Sequence, residues 1–216
     1  MPTTIQQVTG FLDESELTYD VKEEYEAIGI GFSLDESSAT YRDRDGDAHV
    51  QLVIRVVEEG EYVAVLAPQA WNIGACPHKA AVFEALVALQ ARFKLLRFDY
   101  DPQDGEIRPN VELPLEDSSL SSKQFYRLMH AVIIGVQRLD RVIRHAMETG
   151  TVCLDLMNEE EGSSSDDDQL DDDDKAFLET LEGLAEEAGG IDALERLLGG
   201  DGLDRNDEPG IDRKAG

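Results

Sequence analysis

The chain has 216 residues, with 19 Lys+Arg against 47 Asp+Glu and a formal net charge of −28. Such a charge argues against phosphate-backbone binding, which needs clustered cations to displace counterions, and against docking on anionic membranes. It leaves open a basic partner, plain solubility, or a salt-rich interior in which screening relieves self-repulsion. The acidity is uneven: residues 1–150 hold 14 Lys+Arg and 25 Asp+Glu, residues 151–216 hold 5 and 22. The N-terminus (Met1-Pro2-Thr3-Thr4) lacks the basic and apolar regions of a signal peptide, and no apolar run is long enough for a membrane span. Cys76 and Cys153 form no scaffold pattern, so a reducing cytoplasm is expected.

Thr4-Ile5-Gln6-Gln7 reads as a capping box, and Ile5, Val8 and Leu12 share a helical stripe, which predicts a helix over about 4–13. Three strands follow. Ile28, Ile30, Phe32 and Leu34 alternate in 26–34, Val50, Leu52, Ile54 and Val56 in 49–58, and Val63 and Val65 in 61–68. Alternation implies one buried and one wetter face, as in antiparallel sheets. Glu59-Gly60 fits a two-residue hairpin loop. The turn-rich segment 35–48 is expected to be exposed.

Pro77 suits the first position of a second helix, predicted over 77–93. Its apolar residues Val82, Phe83, Leu86, Val87, Leu89 and Phe93 span a wider arc than one sheet face needs, so another helix or a second subunit should cover the rest. A hairpin comes next, with Leu96, Phe98 and Tyr100 on one strand and Ile107, Val111, Leu113 and Leu115 on the other. Asp101-Pro102-Gln103-Asp104-Gly105 supplies its turn. Pro109 points to an edge position or a bulge. Ser121-x-x-Gln124 caps a long helix over 121–148, whose stripe is Phe125, Met129, Val132, Val136, Leu139, Ile143 and Ala146. Gly150 stops it.

The domain organisation expected is therefore an α+β domain over 1–150 and an acidic disordered linker over 151–174. A short amphipathic helical segment follows over 175–198, carrying Phe177, Leu181 and Leu184, and then a disordered tail over 199–216. The fold expected is an antiparallel sheet with helices in the order α-βββ-α-ββ-α.

No residue stands out as catalytic, cofactor-binding or metal-ligating. Cys76-Pro77-His78 sets a thiol at a helix start, where the dipole favours thiolate, but nothing assigns His78 as its base. The Asp99–Gly105 and Asp43–Asp47 stretches have calcium-like composition with the wrong glycine spacing, and read better as turns. The four histidines have no ligand spacing. Arg127, Arg138, Arg141 and Arg144 give the long helix a basic face, either an ordinary solvated one or a seat for the chain's own Asp166–Asp174 run. The segment 175–198 could dock on the domain or enter a partner's groove.

The element order resembles that of type III secretion chaperones. The stretch from Leu96 to Glu106, then Val111 to Asp117 and Ser121 to Phe125, is similar to the YbjN-like family, described as bacterial sensory transduction regulators with a chaperone-like fold. The resemblance spans about residues 1–148. It implies a small bacterial α+β domain, often a homodimer, that binds protein, and it brings no catalytic residue with it. The reading is thus a non-enzymatic, chaperone-like or regulatory protein-binding module without cofactors, nucleic acid or membrane. Its binding residues would be Val82, Phe83, Leu86, Val87, Phe177, Leu181 and Leu184. The alternatives are a structural adaptor acting through the C-terminal helix and a thiol-dependent protein using Cys76.

Overall fold

The computed structural model describes residues 2–35, 37 and 39–157. Most of the expected acidic linker, the helical segment at 175–198 with Phe177, Leu181 and Leu184, and the tail at 199–216 lie outside the described residues. Among the described residues the fold is α+β, with three helices and one open antiparallel sheet. In chain order the elements are α1 (Ile5–Glu14), β1 (Asp20–Lys22), β2 (Ala27–Ser33), β3 (His49–Val57), β4 (Tyr62–Leu66), β5 (Trp71–Asn72), α2 (Lys79–Gln90), β6 (Arg97–Tyr100), β7 (Glu106–Pro114) and α3 (Ser122–Thr149). The sequence reading missed β1 and β5, which are too short to carry a periodicity.

The strands run β1-β2-β3-β4-β7, and β6 pairs with the other side of β7. Asn110 of β7 lies between Leu66 of β4 and Arg97 of β6, and Ile107 between Trp71 of β5 and Tyr100 of β6. β5 therefore prolongs β4 after a break at residues 67–70.

The period of two decides the faces. Ile28, Ile30 and Phe32, Val50, Leu52 and Ile54, Val63 and Val65, Ile107 and Val111 all enter one core. Val8 and Leu12 of α1, Val82, Leu86 and Leu89 of α2, and the stripe of α3 complete that core. The opposite face is wetter but not bare: Ala27 and Val53 form a small second cluster with Tyr25 and Leu66.

Several local expectations need correction. Gln7 does not return to its cap: Thr4 Oγ1 accepts Gln7 N–H, while the Gln7 side chain donates to Leu120 O (2.8 Å), fastening α1 to the entry of α3. The β3–β4 connection spans Glu58 to Glu61 instead of two residues, because Val57 pairs with Tyr62. In it Gly60 has φ +93°, and its carbonyl takes Thr3 N–H at 3.0 Å, so a side chain there would strike the N-terminal segment. The segment 35–48 is not simply exposed: Tyr41 and Ala48 are buried, and Tyr41 meets Trp71 edge-on at 6.4 Å. α2 starts at Lys79 with His78 as N-cap, which leaves Pro77 before the cap. Pro109 sits in an interior strand, not at an edge or an evident bulge of β7. Its carbonyl accepts Ala67 N–H (3.0 Å) just beyond the last β4–β7 pair, where the chain leaves the ladder and no donor is needed from it.

α3 follows its signals closely. Ser121 and Gln124 form the full reciprocal box, and Gly150 ends the helix in the left-handed region with φ +73°. Packing continues past residue 150, since Val152, Leu154, Leu156 and Met157 lie against the core.

Candidate partner-binding surface

α2 divides its apolar residues between two faces. Val82, Ala85, Leu86 and Leu89 are buried against α3 and the sheet. Val82 and Leu86, read from the sequence as binding residues, thus spend their side chains on the core. Phe83 and Val87 point outward, at 36% and 72% exposure. Leu95, on the link from α2 to β6, is 40% exposed. These three are the exposed large hydrophobics among the described residues.

Phe83 does not hang free. Its ring stands edge-on to Tyr100 at 4.9 Å and 77°, which ties the outer face of α2 to the end of β6. β6 is an edge strand, paired only through β7. Its Arg97 pairs with Glu112 of β7, a charge at the edge that discourages indiscriminate strand pairing. The sequence around the patch is basic for so acidic a chain: Lys79, Arg92, Lys94 and Arg97 stand against Glu84 alone between residues 79 and 97. Sequence reasoning missed Leu95. The signal was available, because Leu96, Phe98 and Tyr100 alternate inward and Leu95 is out of phase with them.

The basic face of α3 is not a uniform cationic strip. Arg144 is spent locally: Nε donates to both carboxylate oxygens of Asp140 (2.9 and 2.8 Å), and a terminal nitrogen donates to Arg42 O (2.8 Å). Arg138 is exposed, while Arg127 and Arg141 are half-buried, and all three make interactions of their own. Asp140 is itself only 1% exposed and also accepts Trp71 Nε1–H at 2.8 Å. Burial pushes its carboxyl above the usual range, against the opposing pull of Trp71 and Arg144. Thr40 Oγ1 donates to Gln137 O nearby (2.8 Å), so the Tyr41 segment is strapped across α3.

The other candidates resolve into local structure. Cys76 Sγ accepts His78 N–H (3.4 Å) and points to Met147 O (3.5 Å), a bridge between the start of α2 and the end of α3. Asp101 Oδ1 takes Gln103 N–H and Asp104 Oδ1 takes Glu106 N–H, as turn residues do. Asp43 Oδ1 likewise takes Asp45 and Asp47 N–H. Among the described residues no group of three His, Cys, Asp or Glu could hold a metal ion. No helix among them is long and apolar enough to cross a membrane.

No family model matches the chain, and no curated protein matches it. Solved structures do. E. coli YbjN is 8% identical, with 68% of this chain and 93% of that one covered and a TM-score of 0.44. The ExsC–ExsE complex is 14% identical, with 66% and 97% covered and a TM-score of 0.44. The HopA1–SchA chaperone–effector complex is 14% identical, with 61% and 88% covered and a TM-score of 0.40. YbjN, whose name the family above carries, and a chaperone–effector complex thus both stand among the structures that this chain is similar to.

Proposed function

We propose that this domain is a non-enzymatic protein-binding module, chaperone-like or regulatory, that takes a segment of a partner on the outer face of α2 beside β6. The observation that carries the reading is the outward placement of Phe83, Val87 and Leu95, on α2 and the link from it to an edge strand. Apolar side chains exposed on a helix and its link to an edge strand offer both usual modes of peptide capture, a hydrophobic seat and strand addition. Two free cysteines suit the cytoplasm. The thiol alternative is weaker, because both contacts of Cys76 are structural.

The test is a photo-cross-linker placed at position 87 in native cells, with partners identified by mass spectrometry. A defined protein partner should be captured, and Phe83→Glu should abolish its capture while the protein still melts cooperatively. Recovery of cross-linked dimers of the chain, with no other protein, would replace partner binding by self-association. Undiminished capture by Phe83→Glu would move the binding surface elsewhere.

A further inference from the structure

The outer face of α2 has a candidate occupant within the chain. Beyond the described residues, 175–188 place Phe177, Leu181, Leu184 and Ala188 at spacings that fall on one helical stripe. The same stretch carries Glu179, Glu182, Glu186 and Glu187 against Lys175 alone. Its composition mirrors that of the stretch 79–97, in which exposed Phe83, Val87 and Leu95 share the sequence with Lys79, Arg92 and Lys94, while Arg97 is paired with Glu112.

The path of the chain permits this pairing. The start of α2 lies beside the end of α3: Cys76 Sγ points to Met147 O, and Gly150 abuts the His78 ring so closely that a side chain there would strike it. Residues 151–157 leave from that corner, with Met157 still packed on the core. Residues 158–174 then separate Met157 from Lys175. Seventeen residues reach on the order of 55 Å when extended, more than the roughly 40 Å across a domain of this size. A tether of that length holds its end at an effective concentration of about a millimolar, so even a weak seat would be well occupied.

We propose that residues 175–188 seat on the outer face of α2, with Phe177, Leu181 and Leu184 against Phe83, Val87 and Leu95 and the glutamates among the basic rim. The inference rests on the protein-binding reading of the same patch. It makes the tail an internal competitor that a partner must displace.

The test uses the full chain with benzoylphenylalanine at position 87, irradiated across a hundredfold dilution series. Cross-linked peptides are mapped by mass spectrometry. Adducts within 175–188 should form with a yield independent of protein concentration. The yield should fall at least tenfold in the Leu181→Asp/Leu184→Asp full-length variant, and fall also in 1 M salt. Adducts that increase with concentration would assign the patch to a second copy, and adducts lacking from 175–188 would sink tail docking; either overturns the proposal. The two readings fail separately. Loss of the intramolecular adduct with partner capture intact in cells removes only the tail. An intramolecular adduct with no partner captured by the Leu181→Asp/Leu184→Asp variant, in which the seat is open, removes the protein-binding reading.

Discussion

Asp140 is a buried carboxylate that joins Trp71 to Arg144. It sits on a helix stripe position flanked by Leu139 and Val142, where a carboxylate is costly unless every oxygen is used. Trp71 and Arg144 use them, and Arg144 passes the connection on to Arg42 O. Asp140→Ala should cost about 2–3 kcal/mol, since hydrogen bonds to a charged group contribute roughly 1.5–3 kcal/mol and the Trp71 N–H would be left buried and unpaired. Urea unfolding, with near-ultraviolet circular dichroism reporting on Trp71, measures it. The pH dependence has a definite sign. Both Asp140 and Glu106 have carboxyls raised by burial, so the part of stability linked to their protonation is complete below the unfolded values of 3.8 and 4.5 and is lost as pH rises through the folded ones, while the hydrogen bonds of Asp140 remain. His49 works in the other direction. Burial against Gly31 lowers its pKa despite the opposing charges of Asp43 and Asp47, so its contribution is present above 6.5 and is lost as pH falls through the folded value. His49→Gln should flatten the part of the stability profile just below pH 6.5, as followed by thermal melting at closely spaced pH values. An unchanged slope there would refute the assignment.

Among the elements, α3 shows how local signals and packing reinforce one another. Its cap, stripe and stop all occur in the sequence at the positions where the structure uses them. Ser121→Ala removes one hydroxyl acceptor and should cost about 1 kcal/mol, whereas Val136→Ala on the stripe should cost on the order of 2 kcal/mol or more through the cavity it leaves. Equilibrium unfolding of the two variants side by side checks the ordering. The β6–β7 turn is a stricter case. Gly105 has φ +83°, and a Cβ there would fall on the backbone of Gly74. Gly105→Ala therefore has neither conformation nor space, and should destabilise more than Ser121→Ala in the same measurement. Elements that the sequence does not mark, β1 and β5, are short and take their conformation from the neighbours that pair with them.

For the whole molecule, most of the framework was readable along the chain. Periods of two and of 3.6 are local properties, so the inner faces of β2, β3, β4 and β7 and the stripes of α1 and α3 could be read from sequence alone. Turn chemistry and helix caps are local too, which is why Asp101–Gly105 and Ser121–Gln124 stand where they were expected. The candidate site was half legible. The excess width of α2's apolar arc was visible in the sequence, but which residues the core would claim was not, because that depends on the angle at which α2 meets α3 and β6. Tertiary packing buried Val82 and Leu86 and left Phe83, Val87 and Leu95 outside. It also brought Trp71 to Asp140 and Tyr41 to Trp71, and placed Pro109 inside the sheet where β4 has already ended. Those outcomes rest on long-range pairing, in which each residue's environment is set by partners tens of residues away. The longer elements, the cap of α3 and the inward faces of the main strands were legible along the chain, because they follow from the geometry of one segment. Only the assembled fold decided which polar groups share a buried site and which apolar ones remain to meet a partner.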